Sequence, residues 1–140
     1  MIVRRAIVSV VCVVATSACL KSTEPQPSML QLNGTWNYTG VQTSPVRENL
    51  SGTLTISRES GTSFQGRLDV VATNTQTGQS TLLGGLVSGA ESSDVIDFDA
   101  DLETTRRHVG QIVADTISGT WVGTTSNGTM SSGTFRVERQ

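Results

Sequence analysis

From Leu30 onward, apolar side chains recur at every second position and turn-forming residues interrupt them at short intervals, the pattern of a β-meander rather than of helices. Thr35 to Thr43 places Trp36 and Tyr38 on one face, and Thr53 to Arg58 sets Leu54 and Ile56 against Thr53, Thr55 and Ser57. After a turn at Gly61, Ser63 to Thr73 points Phe64, Gly66, Leu68 and Val70 one way. Ser80 to Ser88 reads as a strand weakened by glycine, followed by a loop from Gly89 to Ser93. Asp94 to Leu102 then alternates Ile96, Phe98, Ala100 and Leu102 with Asp97, Asp99 and Asp101. Arg106 to Val113 follows, then Thr116 to Gly123 with Ile117, Gly119 and Trp121 inward, then Thr129 to Glu138 with Phe135 and Val137 inward. Asn127-Gly128 between the last two suits a type I′ hairpin turn.

Eight short-linked strands predict an all-β domain. An even-numbered antiparallel meander closes most economically into an eight-stranded up-and-down barrel, which removes both edges; a two-sheet β-sandwich is the alternative. All 14 glycines lie at or after Gly34 and Pro45 is the last proline, as a domain of strands and tight turns requires.

The first 30 residues follow another logic. Arg4 and Arg5 precede an apolar run from Ala6 to Ala15, the outline of a secretory signal. Lys21 to Glu24 arrive too soon for the roughly 20 apolar residues of a membrane-spanning helix. Thr16-Ser17-Ala18-Cys19 resembles the lipobox of bacterial lipoproteins, departing from it at Thr16, where that family carries an aliphatic residue. The resemblance implies cleavage before Cys19 and lipidation of its thiol, so that the lipid holds the protein at a membrane. With Leu20 and Lys21 rather than aspartate after the cysteine, it implies the outer membrane of a two-membrane cell envelope. Residues 1–18 are then the signal, 19–30 a tether bearing Pro25 and Pro27, and 31–140 the barrel.

Charge follows from that division. Without residues 1–18 the chain has 122 residues, and losing Arg4 and Arg5 leaves 8 basic against 12 acidic side chains, a formal net charge of −4. Arg106-Arg107 is the only basic pair, which argues against nucleic acid as a partner. Cys12 leaves with the signal, so lipidation of Cys19 excludes a disulfide within the mature chain.

Leu32-Asn33-Gly34-Thr35-Trp36-Asn37, Gly52-Thr53-Leu54-Thr55-Ile56 and Phe64-Gln65-Gly66-Arg67-Leu68 resemble the opening strands of avidin-type barrels. Gly34-x-Trp36 also resembles the first strand of lipocalins, which implies that Trp36 packs across a closed end with a late arginine stacked on it, Arg136 or Arg139. With only Trp36 and Trp121, the set of tryptophans that an avidin-type biotin site uses is absent.

Catalytic chemistry finds little footing. His108 is the sole histidine and no Gly-x-Ser-x-Gly elbow exists, so neither a Ser-His-Asp triad nor a multi-histidine metal site is expected, and no cofactor. Asp94, Asp97, Asp99, Asp101 and Glu103 read as a solvated outer stripe, because same-face strand neighbours stand about 6.6 Å apart, too far to converge on one ion. Trp36, Tyr38 and Trp121 are the candidates for stacking on a small ligand at a barrel mouth, or are simply core. The expected function is a membrane-tethered, non-enzymatic envelope lipoprotein that binds a small molecule or protein partner. The alternatives are a fully packed structural or interaction module and, behind it, a hydrolase.

Overall fold

The computed structural model describes residues 31–140, the side chain of Arg58 excepted. The expected signal and tether, with Cys19, lie outside the described residues. Eight strands run in chain order: β1 (Gly34–Ser44), β2 (Glu48–Ser60), β3 (Ser63–Asn74), β4 (Ser80–Ser92), β5 (Val95–Asp101), β6 (Thr105–Val113), β7 (Thr116–Thr124) and β8 (Met130–Arg139). Each pairs antiparallel with the next, and β1 returns to β8 through a ladder from Trp36↔Arg139 to Ser44↔Ser132. That last ladder closes the barrel and excludes the sandwich.

Alternation places the core where the pattern predicts it. Trp36, Leu54, Phe64, Leu68, Ile96, Phe98, Ile117, Trp121 and Val137 are all buried, while Asp99 and Asp101 face outward. Two strands are longer than the sequence suggests by four residues or more. β2 begins at Glu48 rather than Thr53, because Leu50 turns inward and the polar residues around it are held by ladders on both sides, Asn49 opposite Val41 and opposite Thr73. β4 continues through Ser92, since the chain turns in two residues, Ser93 and Asp94, which both adopt positive φ (49° and 65°) without glycine.

The Asn127-Gly128 turn differs from the type I′ expectation. Only Gly128 has positive φ, Gly128 N–H donates to Thr125 O at 2.9 Å, and Thr125 N–H donates to Thr129 O at 2.7 Å. This is a three-residue loop in which a type I turn is followed by a left-handed glycine, and the extra residue supplies the twist that a type I′ turn would otherwise provide.

The barrel has two distinct ends. The proximal end receives the chain at Gln31 and carries the tight turns at 61–62, 93–94 and 114–115; the distal end carries the connections 45–47, 75–79, 102–104 and 125–129. Leu32 and Trp36 fill the proximal end, and Trp36 Nε1–H donates to Leu32 O at 3.0 Å. The Arg139 guanidinium lies 4.4 Å from the centre of the Trp36 ring and donates to the carbonyls of Asn33, at 3.2 Å, and Gln31. Arg136, the other candidate for that stack, instead pairs with Glu138 on the outer wall at 2.6 Å.

Candidate functional site

The buried polar side chains of the described residues lie in the distal half of the interior. Gln42, Arg106, His108 and Ser131 are buried there among Tyr38, Phe98, Trp121 and Phe135. β6 contributes two of them because alternation inward from Ile112 runs through Gly110 and His108 to Arg106. The ladders then set His108 between Phe98 and Trp121, and Arg106 between Ala100 and Gly123.

Glycines make room for the large side chains. A Cβ at Gly133 would collide with Val41 O and lie within 2.8 Å of two atoms of the Trp121 ring, so the indole occupies space that any other residue would claim. Gly123 leaves the corresponding space beside the Arg106 stem, where a Cβ would stand 3.1 Å from Cγ.

His108 is fully engaged. Its Nδ1 lies 3.0 Å from Arg106 O, and a carbonyl only accepts, so Nδ1 carries the proton. Nε2 therefore accepts from the Tyr38 hydroxyl at 3.1 Å. The ring stacks on Phe98 with centroids 4.5 Å apart and planes within 7°. Burial, reinforced by the nearby Arg106 charge, pushes the imidazole down to about 4, against the backbone hydrogen bond that favours the proton. Burial also raises the Tyr38 phenol well above its ordinary value. A neutral imidazole with both nitrogens occupied has no lone pair to offer a substrate as general base.

Arg106 is the exceptional group, only 7% exposed. Its guanidinium lies 4.7 Å from the centre of the Trp121 ring, and among the described residues no carboxylate forms an ion pair with it. Burial lowers its pKa, partly offset by the Glu48 and Glu103 carboxylates. Arg106 Nε, Trp121 Nε1 and Ser131 Oγ are buried without hydrogen-bond partners among the described residues. Gln42, in contrast, is satisfied: its Nε2 donates to Val46 O at 3.0 Å and to Glu48 Oε2 at 3.2 Å.

Of the three aromatic candidates, the structure brings Tyr38 and Trp121 to His108 and places Trp36 at the opposite end beneath Arg139. Arg106, Gln42 and Ser131 were not singled out from sequence, although stepping by two from Ile112 and Phe135 reaches Arg106 and Ser131. The acidic stripe lies on the outer wall. Asp97 accepts from Arg107 Nε at 3.0 Å and Nη2 at 2.6 Å, which holds its carboxyl below the ordinary range, and Asp101 accepts from Thr105 Oγ1 at 2.7 Å. Two grooves on the walls, about 210 and 280 Å³, touch none of Tyr38, Arg106 or Trp121.

No family model matches the chain, and no curated protein matches it. Among solved structures it is similar to EF1p2_mFAP2b bound to DFHBI, with a TM-score of 0.62 at 13% identity over 78% of this chain and 94% of that one. It is also similar to a de novo designed fluorescence-activating β-barrel, with a TM-score of 0.52 at 17% identity over 77% of this chain and 93% of the design. The redesigned barrel b11L5F_LGL gives 0.53 at 20% identity over 78% and 91%. These likenesses establish the β-barrel fold.

Proposed function

We propose that this protein is an exported, lipid-anchored, non-enzymatic barrel of the bacterial cell envelope that binds a small molecule at the distal end of its interior. One observation carries the binding part: three buried polar atoms, on Arg106, Trp121 and Ser131, have no hydrogen-bond partner among the described residues. Buried polar groups are ordinarily hydrogen-bonded, so a cluster of three marks a place where an external group completes the structure. The similar barrel EF1p2_mFAP2b is bound to DFHBI, so a barrel of this fold has room for such a guest. The closed proximal end leaves the distal rim as the way in.

The anchoring part rests on the charged start, the apolar run and Ala18-Cys19. A lipid-bearing cysteine with two or three acyl chains gives stable attachment, where a single chain is marginal. Outer-membrane placement follows from Leu20 and Lys21 after the cysteine.

Native mass spectrometry of the full chain extracted from membranes tests both parts. The expected result is an N-terminus at Cys19 with added acyl mass, together with a non-covalent small-molecule adduct that is lost on denaturation. A mature chain without acyl mass overturns the anchor, and a chain free of adduct that no small molecule stabilises against heat overturns the binder. Cys19→Ser should prevent membrane retention of a processed form.

A second reading, an interaction module, is favoured by Leu82 and Leu86, which are 76% and 68% exposed on the outer face of β4. They flank Gly84, over which the Arg67–Asp69 ion pair is laid. Loss of a co-purifying protein on Leu82→Ser/Leu86→Ser would support it.

A further inference from the structure

We propose that the distal interior is a carboxylate site, in which Arg106 Nε–H, Trp121 Nε1–H and the Ser131 hydroxyl together receive the two oxygens of a small organic acid. The assignment rests on the small-ligand reading above and names the class of ligand.

Donor chemistry decides the class. The three unpartnered groups can all donate; the guanidinium and the indole nitrogen can only donate. Their missing partner is therefore an acceptor, and beside a buried guanidinium with no ion pair among the described residues it is an anion. A carboxylate offers two oxygens with about four lone-pair sites, enough for all three donors.

The protein's own acids do not fill the role. Glu48 is held by Gln42 at the rim, and Asp97 is turned outward to Arg107. Position agrees with chemistry. Arg106 and Ser131 stand opposite the same residue, Gly123, beside which the Arg106 stem lies, and Trp121 packs against Gly133. The Arg106 guanidinium carbon lies 4.7 Å from the centre of the Trp121 ring, so two of the three unpartnered donors belong to neighbouring side chains.

Charge at the rim restricts the anion further. Glu48 and Glu103 both act on Arg106 through space, so a second negative charge on the ligand would meet them unfavourably. A monocarboxylate fits this field better than a phosphate dianion.

The test compares matched acids and amides on the full chain in a non-ionic detergent: benzoate with benzamide, octanoate with octanamide, read by Trp fluorescence and calorimetry. At least one acid should bind, with its amide about tenfold or more weaker, the ratio expected when a hydrogen bond to a charged group is lost. Arg106→Gln should abolish that preference while unfolding at the same temperature as the wild type or higher, because it removes an unpaired buried charge. Should Arg106→Gln fail to fold, Arg106→Lys keeps the charge and should keep the preference for acids. Ser131→Ala should weaken the acid and leave the amide unchanged.

Equal binding of acid and amide overturns the carboxylate assignment and leaves the small-ligand reading standing. An Arg106→Gln variant that is stable and still prefers acids also overturns it. If no probe binds at millimolar concentration the assignment falls, and the native-mass experiment then decides the broader reading by itself.

Discussion

The Tyr38 hydroxyl donates to Nε2 of His108 across 3.1 Å, joining β1 to β6 through the interior of the barrel, although the two strands share no ladder. The bond fixes more than a distance. Because Nδ1–H is committed to Arg106 O, the pair selects one tautomer and holds the imidazole neutral between Phe98 and Trp121.

Tyr38→Phe should therefore destabilise the fold by about 1–3 kcal/mol, since it leaves the His108 Nε2 lone pair buried without a donor. Urea unfolding measures the loss. A second substitution, His108→Phe, removes the orphaned acceptor, so the double variant should be less destabilised than the sum of the two singles. Strict additivity would show that the two residues do not interact.

Acid should weaken the folded state through the same histidine. The folded chain keeps His108 neutral down to about pH 4, whereas the unfolded chain takes up a proton near the ordinary value of 6.5. The unfolded state binds more protons between these values, so stability falls as pH drops through the window and His108 contributes no further slope below it. Full passage costs about 3 kcal/mol. His108→Gln should flatten this part of the stability profile while leaving the acid limb of the carboxylates. A wild-type profile that matches the variant between pH 6.5 and 4 would contradict the neutral, buried histidine.

Two arginines of β8 should behave differently. Arg139, 30% exposed, stacks on Trp36 and tethers the incoming chain through two carbonyls, so Arg139→Ala should cost about 1–2 kcal/mol. Arg136, 55% exposed and paired with Glu138 on the outer wall, should cost less than about 0.5 kcal/mol on replacement by Ala. Parallel urea curves, with Trp36 emission shifted in the Arg139 variant alone, would check both.

The β4–β5 turn can be improved. Ser93 and Asp94 hold positive φ, which side-chain-bearing residues adopt at a cost, and Asn-Gly is the pair suited to a two-residue hairpin of this kind. Ser93→Asn with Asp94→Gly should raise stability by about 0.5–1 kcal/mol, seen as a higher melting temperature.

Legibility in the sequence tracked how each position is decided. β3 and β5 could be read because Phe64, Leu68, Val70, Ile96 and Phe98 declare their face by side chain alone. The first half of β2 could not, since Glu48, Asn49 and Ser51 have no strand preference of their own and are ordered by neighbouring ladders. The Ser93–Asp94 turn was hidden for a similar reason, lacking the glycine that would mark it. Tyr38 and Trp121 stood out as large aromatics, but arginine is ordinarily a surface residue, so Arg106 was passed over despite its place in the alternation. Trp36 at the other end, beneath Arg139, is the arrangement that the Gly34-x-Trp36 resemblance implies.

The two ends of the interior answer to different demands. Leu32, Trp36, Ile117 and Val137 hold the proximal half together by burial and satisfied polar contacts, whereas residues 106, 121 and 131 carry polar groups without partners among the described residues. Such a division lets one half drift while the other stays fixed. If the distal interior takes a small molecule as proposed, changes around its rim would retune what it accepts without loosening the framework, by a few substitutions rather than by refolding.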